Sequence, residues 1–257
     1  MQHLFSTAGM AHLASLLCLR PLLALDFDGT LAPIVSRPAD ASISKAAAEK
    51  LARLSLLVPV AIVTGRCVGD VRKRLGFEPA YVIGGHGAEG LDYALPTNAL
   101  HDAYAWLEEH RATLERLDVE VEDKRYCIAL HYRRAKNPAD AALMITTLLT
   151  SLKPTLRTFG GKMVFNIVPA GAPDKADAVR EIVRRESTAG AIFVGDDVND
   201  EPVFIAAPPH WLTVKVGHVH APPEPSSAAK FHVRDCAEVV LMLERMVAIL
   251  EGAIGAA

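Results

Sequence analysis

The stretch LLALDFDGTLAPI (residues 22–34) sets four apolar residues before two aspartates separated by one phenylalanine, then a glycine and a threonine. A continuous apolar run closed by turn residues is the pattern of a strand buried on both faces, as in a parallel sheet covered by helices. Ligands of such sheets bind beyond the carboxyl ends of the strands, near the point where the strand order reverses. Asp26 and Asp28 stand at that end of the strand.

Outward from this stretch the chain alternates strands and helices. VAIVTG (60–65) and AYVIGG (80–85) repeat the buried-strand pattern. ISKAAAEKLARLSLL (43–57), capped at Asp40 or Ser42, and VGDVRKRLG (68–76), ending at Gly76, have helical spacing. From about residue 95 the texture changes. YAWLEEHRATLERL (104–117) and PADAALMITTLLTSL (138–152), with Pro138 in its first turn, read as helices. VEVEDKRYCIALHYRRA (119–135), TLRTF (155–159) and KMVFNIV (162–168) read as half-solvated strands. After Pro169 the first texture returns, with helices at 174–186, 201–207 and 237–250 and strands AIFVG (191–195) and WLTVKV (211–216). The expected fold is α/β, a Rossmann-like parallel-sheet core made of residues 1–94 and 169–257, carrying an inserted α+β cap at 95–168.

The 257 residues, 51% of them apolar, suffice for such a core plus cap. A net charge of −3 with mixed signs offers no basic field for nucleic acid and no polybasic membrane patch. Four cysteines without CxxC spacing fit neither a zinc site nor a disulfide framework, so reduced thiols and a cytoplasmic location are expected. AHLASLLCLRPLLAL (11–25) lacks a basic leader and is broken by Arg20 and Pro21; a short helix entering the first strand is the expectation, and a signal peptide is not. APPEPSS (221–227) reads as a surface loop.

Three strand ends carry the polar residues: Asp26 and Asp28, then Thr64, Gly65 and Arg66, then Asp196, Asp197 and Asp200. Carboxylates gathered in a small dry space raise one another's pKa unless a cation joins them, and Mg2+ suits carboxylate and water ligands. With the metal, a phosphate can approach, one aspartate can attack phosphorus, and the other can protonate the leaving oxygen and then activate water. An EF-hand loop is excluded, since the sixth position from Asp26 is Leu31 and the twelfth is Arg37.

In chain order, DFDGTLAPI, TGR, a lysine before a helix and GDDVNDE resemble the four motifs of haloacid dehalogenase superfamily phosphatases. Within that superfamily GGHGAEG, VEDKRYCIALHYR, GGKMVFNIVP, GDDVNDEPVF and VKVG are similar to the trehalose-6-phosphate phosphatases, from about residue 22 to the last helix. The resemblance implies a nucleophilic Asp26, a general acid and base at Asp28, and Thr64 and Lys175 on the phosphoryl oxygens. It places Mg2+ on Asp26, the Asp28 backbone carbonyl and Asp196, with Asp200 joining directly or through water. For the substrate it implies Arg66, His86 and Glu89 on the core side, and Glu122, Lys124, His131, Arg133, Lys162 and Asn166 from a cap facing it. The expected partner is a small sugar phosphate bound by a monomer, with neither nucleic acid nor membrane.

Three departures keep a close alternative open. Asn166 stands where the family pattern GKxxxE has glutamate, Ala176 follows Lys175 where glycine is usual, and Asn199 replaces the usual threonine of GDDxTDE. The alternative is the same chemistry on another glycosyl phosphate, of the mannosylglycerate, glucosylglycerate or glucosylglycerol type. A non-catalytic sugar-phosphate sensor would have lost the nucleophile or the acid, and both are present.

Overall fold

The computed structural model describes residues 1–35, 37–93, 100–217 and 227–254. The APPEPSS segment, apart from Ser227, and the expected start of the cap at residue 95 lie outside these residues.

In chain order the first compact unit contributes β1 (Gln2–His3), α1 (Thr7–Leu17), β2 (Leu22–Leu25), α2 (Lys45–Leu54), β3 (Val60–Val63), α3 (Val68–Leu75) and β4 (Tyr81–Ile83). The second unit holds α4 (His101–Arg116), β5 (Glu120–Asp123), β6 (Ile128–His131), α5 (Pro138–Leu149), β7 (Leu156–Gly161) and β8 (Val164–Pro169). The chain then returns to the first unit with α6 (Lys175–Glu186), β9 (Ala191–Gly195), α7 (Glu201–Ala206), β10 (Leu212–Val216), β11 (Phe231–Val233) and α8 (Cys236–Ile254).

Seven parallel strands form the core sheet in the order β1-β11-β10-β9-β2-β3-β4. From β2 the chain runs outward through β3 and β4 on one side and later through β9 and β10 on the other, so the strand order reverses at β2. Leu22, Leu23, Ala24 and Leu25 are all fully buried, which explains a run with no alternation. Each such leucine contributes about 1.5–3 kcal/mol of apolar burial.

Helix α1 begins at Ser6, whose side chain accepts from the Gly9 amide at 3.2 Å, and it buries Leu13, Leu16 and Leu17. The cap of α2 is Ser44, not Asp40 or Ser42. Ser44 is extended (φ −69°, ψ 152°) and its Oγ accepts from Ala47 N at 3.1 Å, whereas Asp40 closes a 3-10 turn and pairs with Arg37 at 2.7 Å. Ser44→Ala is expected to lower stability by about 1 kcal/mol, read as a shifted urea midpoint with an unchanged slope. Gly76 ends α3 in the left-handed region, as its position suggests (φ 64°). Strands β1 and β11 are too short for any periodicity to announce, and exist because each completes a parallel ladder.

The second compact unit is Leu91–Pro173. Its sheet, β5-β6-β8-β7, is antiparallel. One face carries Ile128, Leu130 and Ile167 into an apolar cluster with Ala103, Trp106 and Leu114 of α4 and Ala141 and Ile145 of α5. The return to the core falls after Pro173 rather than after residue 168. β8 runs through Pro169 in register with Leu156, and Ala172 packs beside Val168 while its carbonyl accepts from Arg157 at 3.0 Å.

Candidate active site

At the carboxyl end of β2 the Asp26 side chain is buried, and Lys175 Nζ lies 3.0 Å from its Oδ1. The same ammonium is 2.7 Å from Asp200 Oδ1. Lys175 reaches this spot because it is the first residue of α6. That helix is closed by a capping box between Asp174 and Asp177, with bonds of 2.9 and 3.1 Å, and it packs against β2 and β3. Ala176 then lies inside an ordinary first helical turn, where alanine is well suited.

Asp200 Oδ2 accepts from the amides of Asp196 (2.9 Å) and Asp197 (3.0 Å), so this carboxylate holds both the lysine and the turn after β9. Gly195 is required there, because a Cβ would stand 2.4 Å from the Asp200 carboxylate. Gly29, at φ 75°, meets the same demand on the other side: a Cβ would lie 2.0 Å from Asp196 Oδ2. Asp26, Asp196 and Asp200 each bring a carboxylate oxygen within 4.8 Å of the others.

Three buried carboxylates outnumber the Lys175 ammonium, which reaches two of them. Burial raises the Asp26 carboxyl well above the usual range; Lys175 opposes this, and the Asp200 and Asp196 charges add to it. Lys175 is held charged above the usual lysine range, because its two carboxylates outweigh the burial that works against it. A hard divalent cation with oxygen ligands would cancel the excess, and the donor set suits one. The Thr30 hydroxyl is buried with no hydrogen-bond partner among the described residues, an open donor beside the same motif.

Asp28 is placed differently. Both its oxygens take Arg66, from Nε and Nη2 at 2.7 Å each. Arg66 Nη1 donates to Asp70 at 2.9 Å, and the guanidinium lies 5.2 Å from the centre of the Phe27 ring. Burial works against the Arg66 charge, but the hydrogen bonds and charges of Asp28 and Asp70 push its pKa up.

The turn after β3 and the 84–90 loop are laced together. Thr64 Oγ1 accepts from Arg66 N at 3.2 Å, Thr64 O from His86 N at 3.0 Å, and Arg66 O from Gly85 N at 3.0 Å. His86 is left-handed (φ 59°), and its ring lies over Gly65, where a Cβ would come within 2.3 Å. Glu89 Oε2 accepts from Val68 N at 2.8 Å, capping the start of α3.

Within the second unit, the sheet face opposite the apolar cluster carries Glu120, Glu122, His131 and Asn166 among smaller and apolar residues. Glu122, Ala129, Asn166 and Phe159 form one row across the four strands, with Glu120, His131, Val164 and Gly161 in the next. Glu122 bonds His131 at 2.9 Å and lies 3.6 Å from Lys124; the His131 bond holds its carboxyl below the usual range. Arg133 Nη2 donates to Lys162 O at 3.1 Å. Asn166 is buried, its Oδ1 accepting from Cys127 Sγ at 3.5 Å, and its Nδ2 has no partner among the described residues.

Two groups near the core cluster escape a motif reading. Asp70 and Arg74 follow Arg66 at helical i+4 steps, a ladder legible in RCVGDVRKR (66–74) once Arg66 is placed. Lys215, the one charge in the strand WLTVKV, is buried at 3.3 Å from the Asp197 carbonyl and 3.5 Å from Glu201, bracing the turn that carries Asp196 and Asp200.

A C-terminal domain of the C. albicans trehalose-6-phosphate phosphatase superposes with a TM-score of 0.79 at 21% identity, covering 96% of this chain and 98% of that one. BT1666 from Bacteroides thetaiotaomicron, a phosphatase of the haloalkanoate (HAD) enzyme superfamily, gives 0.62 at 16% identity, covering 89% of this chain and 95% of that one. The parallel-sheet core and the second unit therefore share the fold of these phosphatases. In sequence, the Mycobacterium marinum trehalose-phosphate phosphatase is 32% identical over 215 residues, 77% of this chain and 54% of that protein. The chain thus spans about half the length of the trehalose-phosphate phosphatases of Mycobacterium marinum and Mycobacterium ulcerans that it matches. The family pattern described as Trehalose-phosphatase matches residues 24–236, and the chain belongs to that family.

Proposed function

We propose that the protein is an Mg2+-dependent phosphatase that hydrolyses trehalose 6-phosphate to trehalose and phosphate through an aspartyl-phosphate. The observation that carries this reading is the buried Lys175 ammonium set between Asp26 and Asp200, with Asp196 alongside. Asp26 attacks phosphorus while the bond to the sugar oxygen breaks, and Asp28 gives that oxygen its proton. Asp28 then takes a proton from water, whose oxygen displaces Asp26 from phosphorus. Lys175 and Thr64 hold phosphoryl oxygens. Asp26, the Asp28 carbonyl, Asp196 and Asp200 would hold Mg2+, which supplies charge neutralisation of the phosphoryl group when bound. Excess EDTA is expected to stop phosphate release from trehalose 6-phosphate and added Mg2+ to restore it; full turnover in EDTA would refute the metal assignment.

Arg66 serves here as the partner of Asp28. For the substrate we assign Glu122, Lys124, His131, Arg133, Lys162 and Asn166 of the second unit, and His86 and Glu89 of the first. A disaccharide offers many hydroxyls and no charge beyond its phosphate, which suits charged and bidentate side chains.

A second reading, the same reaction on another glycosyl phosphate, is favoured by one observation. The unpartnered Asn166 Nδ2 is a buried donor, at a position where a glutamate could only accept. A phosphate-release screen over glycosyl phosphates separates the two. The expected outcome is the highest kcat/KM for trehalose 6-phosphate, with Asn166→Ala raising KM about tenfold and leaving kcat within twofold. Preference for a glycosylglycerate phosphate would select the second reading.

A further inference from the structure

We propose that Asp70 and Arg74 are positioning residues for the reaction, fixing the Asp28 carboxylate through Arg66. The inference rests on the reading of Asp28 as general acid and base.

The contacts form one line. Arg66 grips both oxygens of Asp28 at 2.7 Å, and its third nitrogen reaches Asp70 Oδ2 at 2.9 Å. Asp70 is in turn clamped by Arg74, with Nη2 at 2.6 Å and Nε at 3.1 Å from Oδ1. Arg74 Nη1 ends the line on backbone, donating to the carbonyls of Ala39 (2.5 Å) and Ala41 (3.0 Å).

Each link removes a freedom from the one before it. A guanidinium bound along one edge only can swing with its carboxylate, so the Arg66–Asp28 pair alone would align the two groups without placing them. With Nη1 held by Asp70, the plane of the fork is set from two sides. Asp70 is a short side chain on a rigid helix, and Arg74 lies one turn further along the same helix, which makes α3 the support on which the carboxylate is hung. A bidentate arginine uses one lone pair on each Asp28 oxygen and leaves the others open. The Asp28 side chain is 44% exposed, whereas that of Arg66 is 13% exposed. Asp28 is therefore accessible on one side and anchored on the other. Burial pulls the Asp70 carboxyl upward, and the bonds to Arg74 and Arg66 overcome it, keeping this link charged. A loss of this anchorage displaces Asp28 by a fraction of its length, a scale at which rates fall by up to about 10²-fold.

The test separates the two chemical steps. With 4-nitrophenyl phosphate the leaving nitrophenolate needs no proton, so phosphorylation of Asp26 proceeds without Asp28, but release of phosphate from Asp26 still needs a base. Asp70→Asn and, independently, Arg74→Met are compared with the unaltered chain in saturating Mg2+, by rapid mixing with 4-nitrophenyl phosphate and by steady-state turnover of trehalose 6-phosphate. Each is expected to release about one nitrophenolate per chain at the unaltered rate and then to turn over about tenfold more slowly, with kcat on the sugar phosphate down about tenfold and KM within twofold. Asp70→Glu, which keeps the carboxylate, should recover part of kcat.

A kcat within twofold of the unaltered chain in both variants overturns the proposal. So does an equal fall in the first turnover and the steady state, the mark of general damage. Asp28→Asn, run alongside, reads the underlying assignment separately: it should give the strongest burst. Its absence there refutes the role of Asp28 itself, whereas a burst in Asp28→Asn alone refutes only Asp70 and Arg74.

Discussion

Asp26→Asn is expected to lower phosphate release from trehalose 6-phosphate by about 10⁴-fold or more, with no loss of folded structure. An amide has no anionic oxygen for phosphorus, so no phosphoryl-enzyme can form and the two-step route is closed. The fold survives because the substitution removes charge from a place overcrowded with it. Asp26 is buried beside Asp196 and Asp200, and those neighbours together with burial are what push its carboxyl up. Lys175 keeps Asp200 at 2.7 Å after the change. Without Mg2+ the thermal midpoint should therefore equal or exceed that of the unaltered chain. Phosphate release within tenfold of normal would remove Asp26 from the role of nucleophile.

Lys175→Met is expected to have the largest effect on stability, about 3–5 kcal/mol, because it leaves Asp26 and Asp200 buried at the carboxyl ends of β2 and β9 without the ammonium that now pairs with both. Methionine fills the volume and tolerates the first helical turn, so the loss is electrostatic rather than a cavity. For a unit of this size each kcal/mol moves the midpoint by about 2–4 °C, giving a drop on the order of 10 °C. Added Mg2+ should recover more degrees in the variant than in the unaltered chain, since the cation then replaces the counter-charge that Lys175 gave Asp26 and Asp200. Phosphate release should still fall by at least about 10²-fold, the phosphoryl oxygens having lost a fixed cation. A midpoint unchanged by the substitution would mean that the three aspartates are not charged together.

Much of the architecture is legible in the chain because buried parallel strands and amphipathic helices leave local patterns. Leu22–Leu25, Val60–Val63 and Ala191–Gly195 are found where the continuous apolar runs place them, and α6 begins at the lysine that the family resemblance singles out. The cap of α2 was harder to read, since Asp40, Ser42 and Ser44 all have suitable side chains and only the backbone path decides among them. The return from the second unit at Pro173 was hidden for a related reason: one strand and the turn after it look alike in sequence whichever sheet they join.

Sequence by itself determined the alternation of elements, the strand ends that carry Asp26, Thr64 and Asp196, and the amphipathic split of the second unit, because each depends on residues a few positions apart. Tertiary structure alone decided which of these meet. The order β9-β2-β3 sets Asp26 beside a residue far along the chain, and the start of α6 drops Lys175 between Asp26 and Asp200. Strands β1 and β11 and the Arg66 grip on Asp28 belong to the same class. Their existence depends on pairing between distant segments, which no local pattern encodes until the sheet has brought those segments together.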